Sequence, residues 1–124
     1  MPPPPASACD IAAHLDMGLI GRVCTSIGLP AYRSVLASFL ADASGHQAAL
    51  LAALERADVA ALRQPAHALK GASASLGLAA VRAITERLER DAEHLDPGAC
   101  AEAAALLRAR LQATRNLLQR MGLA

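Results

Sequence analysis

Apolar side chains recur at three- and four-residue steps through almost the whole chain, and nearly all of them are Ala or Leu. Leu62, Leu69 and Leu76 repeat at seven-residue intervals, while Leu15, Leu19, Ile20, Val23 and Ile27 keep the same helical spacing, as do Leu107, Leu111, Thr114, Leu118 and Met121. That period lines one face of a helix, whereas a half-buried strand alternates every second residue. The kind of apolar residue agrees with the spacing. Hydrophobic residues make up 54% of the sequence but aromatics only 2%, Tyr32 and Phe39, and β-branched residues are few. Ala and Leu favour helices and give a sheet little to pack with. The 124 residues are enough for one core without disulfides or a structural metal, and too few for two.

Residues 1–10 read as a proline-rich leader, because Pro2 to Pro5 offer no face to bury. A short first helix is expected from about Asp10 to Ile27, weakened by Gly18 and Gly21, and Gly28, Leu29 and Pro30 then punctuate the chain. Tyr32, Val35, Leu36, Phe39, Leu40, Leu50, Leu51 and Leu54 predict one long helix or two, with Ser44 and Gly45 as the soft spot. Asp58 is placed to cap the next helix, which ends near Gly77, the glycine taking the left-handed conformation of a helix end. Leu78, Val81, Ile84 and Leu88 define a further helix, stopped by Asp96, Pro97 and Gly98, and the last runs from about Ala99 to Met121. Short connections favour antiparallel neighbours. The expected fold is all-α: an antiparallel up-and-down four-helix bundle over residues 11–124 with a short additional N-terminal helix.

A formal net charge of +1 gives no global basic field, which disfavours nucleic acid as a partner. Every Leu/Ala stretch is interrupted before the roughly 20 residues a bilayer span needs, so no membrane insertion is expected. The first ten residues lack the basic start and apolar centre of a secretory signal, and a soluble, cytoplasmic protein is the expectation. Cys9, Cys24 and Cys100 are odd in number and widely spaced, which suits reduced thiols. His14, His46, His67 and His94 share no i, i+4 spacing and no HExxH occurs, so no metal site is expected. There is no GxxxxGK[ST] and no GxGxxG, so the chain carries no signature for binding ATP.

His67 draws attention by its position on its helix. On a wheel of roughly 100° per residue, Ala66, Leu69, Ser73 and Leu76 fall within about 40° of Leu62, whereas His67 lies about 140° away. Its neighbours on that side are Ala60, Arg63, Lys70, Gly71 and Ala74, either basic or very small. An imidazole so placed stands uncovered on a rigid element, with a cation one turn to either side, open to a bulky anionic group. By local pattern alone an ordinary surface histidine fits equally well.

The stretch Ala66-His67-Ala68-Leu69-Lys70-Gly71, with Gly77 ten positions after the histidine, resembles the phosphorylation motif of histidine-containing phosphotransfer (HPt) domains of bacterial and eukaryotic phosphorelays. The layout from about Leu15 to Met121 is similar to that family's helices as well. The resemblance implies that His67 takes a phosphoryl group from an aspartate of a receiver domain and hands it to another. It also implies a Glu or Gln 22 positions on, here Glu89, that accepts a hydrogen bond from the ring; a solvated surface role is the alternative for Glu89, and Glu86 is the competing carboxylate. A neutral imidazole has one nitrogen with a lone pair and one with a proton, so an acceptor facing the protonated one fixes which nitrogen attacks.

Lys70 and Arg63 would attract the incoming acyl phosphate, and Gly71 and Ala74 would leave room for the partner's loops. Pro65 departs from the pattern, since it removes an amide mid-helix and its ring crowds the preceding turn. A kink is expected there, or alternatively a fresh helix start that would put free amides near the phosphoryl group. The function expected is phosphoryl carriage by a monomer, not an enzyme in itself, between receiver domains of response regulators or of a hybrid sensor histidine kinase. No cofactor is expected in this chain, the magnesium belonging to the receiver. The alternative is a helical docking or dimerisation module without phosphotransfer.

Overall fold

A computed structural model describes residues 7–124. It contains α1 (Ala8–His14), α2 (Met17–Ile27), α3 (Leu29–Glu55), α4 (Val59–Leu76), α5 (Ala79–Asp91), a 3-10 turn (Ala92–His94) and α6 (Pro97–Arg120). Helices α3 to α6 each pack on the next, and α6 closes the ring against α3. The links 56–58, 77–78 and 92–96 leave room only for antiparallel neighbours, so the four make an up-and-down bundle. α1 packs on α5 and α6, and α2 on α3.

Side-chain caps start the helices at the places their sequence dictates. Asp58 accepts from the Ala61 amide at 3.2 Å, Asp16 from Leu19 at 3.0 Å and Asp96 from Ala99 at 2.7 Å, each satisfying a donor that has no intrahelical partner. Asp96 and Pro97 therefore begin α6, while α5 has already ended at Asp91. The core consists of two apolar clusters joined by Phe39 and Leu111. One gathers Leu50, Leu54, Leu62, Leu69, Ile84, Leu88 and Leu107; the other gathers Tyr32, Leu36, Leu76, Leu78, Val81, Leu117 and Leu118 with Leu15 and Ile20 from the leading segment. Tyr32 is fully buried and donates its hydroxyl to the Leu76 carbonyl at 2.9 Å, which satisfies both the phenol and an unpaired carbonyl at the end of α4. Burial, with Cys24 nearby, pushes that phenol up to about 12.

Two expectations are corrected, and one alternative is set aside. The leading segment is two helices rather than one, because Leu15 is extended and buried and the Asp16 amide donates to the Gly77 carbonyl at 2.8 Å. Gly18 and Gly21 lie unbroken inside α2. Helix also begins at Ala8, within the stretch expected as leader; the Pro2 to Pro5 run lies outside the described residues. Lastly, α4 runs unbroken through Pro65, so no fresh helix starts there. The Pro65 ring is buried, and the carbonyl it leaves without a helical partner belongs to Ala61, an exposed residue that water reaches. The question between one long helix and two is settled as the single α3, with Ser44 and Gly45 inside it.

Gly77 closes α4 at φ 78°, and the Leu78 amide reaches back to the Ser73 carbonyl at 2.9 Å, the hydrogen bond of a Schellman end. A Cβ at this position would stand 2.8 Å from Ile20 Cγ1 and 3.1 Å from the Asp16 carbonyl oxygen. Gly77 is thus required both for its backbone conformation and for the approach of the leading helices. Gly77→Ala is expected to destabilise the fold by about 2 kcal/mol or more, combining left-handed strain with overpacking. Urea unfolding measures this, and an unchanged midpoint would contradict it.

Candidate functional site

His67 is the ninth residue of α4, far from the free amides of the first turn, and its side chain is 67% exposed. The short 77–78 link fixes the antiparallel register of α4 and α5, and that register sets His67 opposite Glu89. Nδ1 of the ring lies 2.7 Å from Glu89 Oε1. An ionised carboxylate only accepts, so the ring proton belongs on Nδ1, which leaves Nε2 with its lone pair. Glu86, the competing carboxylate, instead pairs with Arg82 one turn before it on α5, at 3.4 Å.

Glu89 holds a second cation. Its Oε2 lies 2.7 Å from Lys70 Nζ, with side chains 22% and 32% exposed respectively. The contact is an ion pair, and Oε2 is enclosed beneath it with no other partner. Lys70 beside it holds the Glu89 carboxyl below its ordinary value of 4.5, and His67 acts in the same direction against partial desolvation. Arg63, expected beside the ring, turns to Glu93 at 3.4 Å. The register explains this pair as well, four residues back along α4 and four forward from Glu89. No local signal in the sequence marks Glu93, since it belongs to the 3-10 turn and meets α4 only through the folded register. Arg63, Lys70, Glu86, Glu89 and Arg90 line an open groove of about 430 Å³ between the two helices.

The remaining expected positions fall on the His67 side of α4. Gly71 is exposed with nothing within 4 Å of where a Cβ would stand, and Ala74 is half-buried one turn further on. Gly77 lies at the helix end, a structural position away from the ring. His67 and Lys70 are therefore joined through Glu89, while Arg63, Gly71 and Ala74 lie on the same side of α4. Among the described residues no three His, Cys, Asp or Glu side chains are grouped to hold a metal ion, and no single helix is long and apolar enough to cross a membrane. Cys9, Cys24 and Cys100 are free thiols.

A family model described as the Hpt domain matches residues 34–117, from the first turns of α3 to the last turns of α6. The chain belongs to the Hpt domain family. Membership of the Hpt family places it in histidine phosphotransfer within two-component phosphorelays, as a phosphocarrier rather than an enzyme. The match covers the four bundle helices and their ion-pair network, and α1 and α2 lie before it. No curated protein and no solved structure matches the chain.

The lowered Glu89 value fixes the sign of a pH effect. A carboxyl whose pKa is depressed on folding contributes its stabilisation fully above the ordinary glutamate range and loses it as pH falls through the lowered value. Lys70→Ala removes the largest cause of the depression and is expected to move the Glu89 titration upward. Carbon-13 NMR of the carboxyl measures both proteins, and equal midpoints would show that Lys70 does not act on Glu89.

Proposed function

We propose that His67 Nε2 carries a phosphoryl group between receiver-domain aspartates, with Glu89 and Lys70 completing the site on this chain. The observation that carries the proposal is the exposed ring whose inner nitrogen is bound to a carboxylate. The Nε2 lone pair attacks the phosphorus of a receiver's aspartyl phosphate while the P–O bond to the aspartate breaks and its electron pair leaves with the carboxylate. The ring thereby becomes an imidazolium that keeps its proton on Nδ1 and goes on donating it to Glu89 Oε1. Transfer to the next receiver reverses these bond changes. The receiver supplies magnesium and its own cationic groups, and this chain supplies a nucleophile of fixed orientation and a cation, Lys70, within a side chain's reach.

The docking face combines one arginine with two small residues. Arg63, Gly71 and Ala74 surround the ring at helical spacing, and the open space over Gly71 lets a partner's loops approach the imidazole. The partners are receiver domains of response regulators or of a hybrid kinase, met by a monomer in the cytoplasm.

Two experiments test these roles. His67→Gln, with an exposed side chain on a helix that packs by its other face, is expected to leave folding intact and to abolish uptake from a phosphorylated receiver; label persisting on the variant would refute the carrier role. Glu89→Ala frees the ring to rotate and to move its proton, and is expected to slow transfer by about tenfold or more. An unchanged rate would return Glu89 to an ordinary surface carboxylate.

Gly71→Ala separates stability from docking. The added methyl meets no atom, and replacing an exposed helical glycine is expected to stabilise the fold by about 0.5–1 kcal/mol. The same methyl narrows the approach to His67 and is expected to slow transfer. A variant that gains stability and transfers at the native rate would remove Gly71 from the docking face.

A further inference from the structure

We infer that Glu89 sets how long the phosphoryl group stays on His67 by competing with it for Lys70, an inference that rests on His67 being the carrier. One carboxylate here serves two cationic partners, Oε1 the ring and Oε2 the ammonium, each at 2.7 Å. Phosphorylation at Nε2 leaves the proton on Nδ1, still donated to Oε1, so Glu89 stays ionised and anchored where it is. The phosphoryl group then brings a charge of about minus two to the rim of the groove. Lys70 faces two anionic claimants, the phosphoryl oxygens and an enclosed carboxylate oxygen with no other partner.

The other cations lining the groove are already engaged. Arg63 is on Glu93 at 3.4 Å, and Arg90 is on Asp91 at 3.2 Å. If Lys70 moves to the phosphoryl group, Oε2 loses the ammonium that covers and neutralises it, an unfavourable change for a partly enclosed carboxylate oxygen. If Lys70 stays, the phosphoryl charge is neutralised by solvent alone. In either arrangement the phosphohistidine is held less firmly than it would be beside an uncharged acceptor. Glu89 thus orients the ring for uptake and keeps the loaded ring ready to give the group up.

Glu89→Gln isolates the competition, because the amide oxygen still accepts from Nδ1 while the charge that holds Lys70 is gone. Phosphoramidate loads the isolated protein without any partner: its N–P bond breaks, ammonia leaves and the Nε2–P bond forms. Spontaneous loss is then followed by phosphorus-31 NMR, as water attacks phosphorus, inorganic phosphate departs and the electron pair returns to Nε2. The half-life of the phosphohistidine is expected to lengthen about two- to fivefold in Glu89→Gln, the range open to a partly exposed ion pair. In the Lys70→Ala background most of that lengthening is expected to vanish, since there is no ammonium left to release.

Equal lengthening in both backgrounds would show that Glu89 acts on the ring alone and would overturn the competition, as would a shorter half-life in Glu89→Gln. The underlying carrier role fails separately: if His67→Gln accepts phosphorus from phosphoramidate as well as the native protein does, the label is elsewhere and both proposals fall.

Discussion

The two-residue link between α4 and α5 is the constraint on which the site depends. Gly77 takes a conformation that side chains with a Cβ resist, and Leu78 is buried immediately after it, so α5 must return along α4 in one register. That register puts the Glu89 carboxylate opposite the His67 ring and Glu93 opposite Arg63. The same glycine admits Ile20 and the Asp16 carbonyl, through which the leading helices close one end of the bundle. A single backbone requirement therefore fixes both the packing of that end and the partner of an imidazole ten residues away.

Stability and chemistry are separated across the faces of α4. Leu62, Ala66, Leu69 and Ser73 are fully buried and hold the helix in the bundle, while His67 and Gly71 face outward and contribute little to packing. Placing the imidazole on a helix anchored along its opposite side keeps its orientation without covering it. Both cations next to the ring are paired with carboxylates of the α5 side, so before phosphorylation the groove is nearly balanced in charge. In the proposed transfer, a partner's phosphoryl group would meet a cation that must be drawn from an existing contact.

Much of this architecture is legible in the sequence because it follows from repeated local patterns. The Leu62, Leu69 and Leu76 series marks the buried stripe of α4, Asp58 marks its start and Gly77 its end, and all three are observed. Glu89 is legible through the family motif, whereas its second contact, to Lys70, depends on side-chain rotamers that no spacing encodes. The break at Leu15 and Asp16 is hidden because Leu15, Leu19 and Ile20 keep helical spacing across it; the break is set by a hydrogen bond to Gly77, about sixty positions away. At Pro65 local propensity argues for an interruption, and burial of the ring within a packed helix overrides it. Glu93 is invisible for the reason Gly77 is decisive, since only the folded register brings it to Arg63.

The most direct measurement is nitrogen-15 NMR of histidine-labelled protein after phosphorylation, reading which ring nitrogen is coupled to phosphorus. The account predicts coupling at Nε2 of His67, with the proton retained on Nδ1. Coupling at Nδ1, or at His14, His46 or His94, would contradict it.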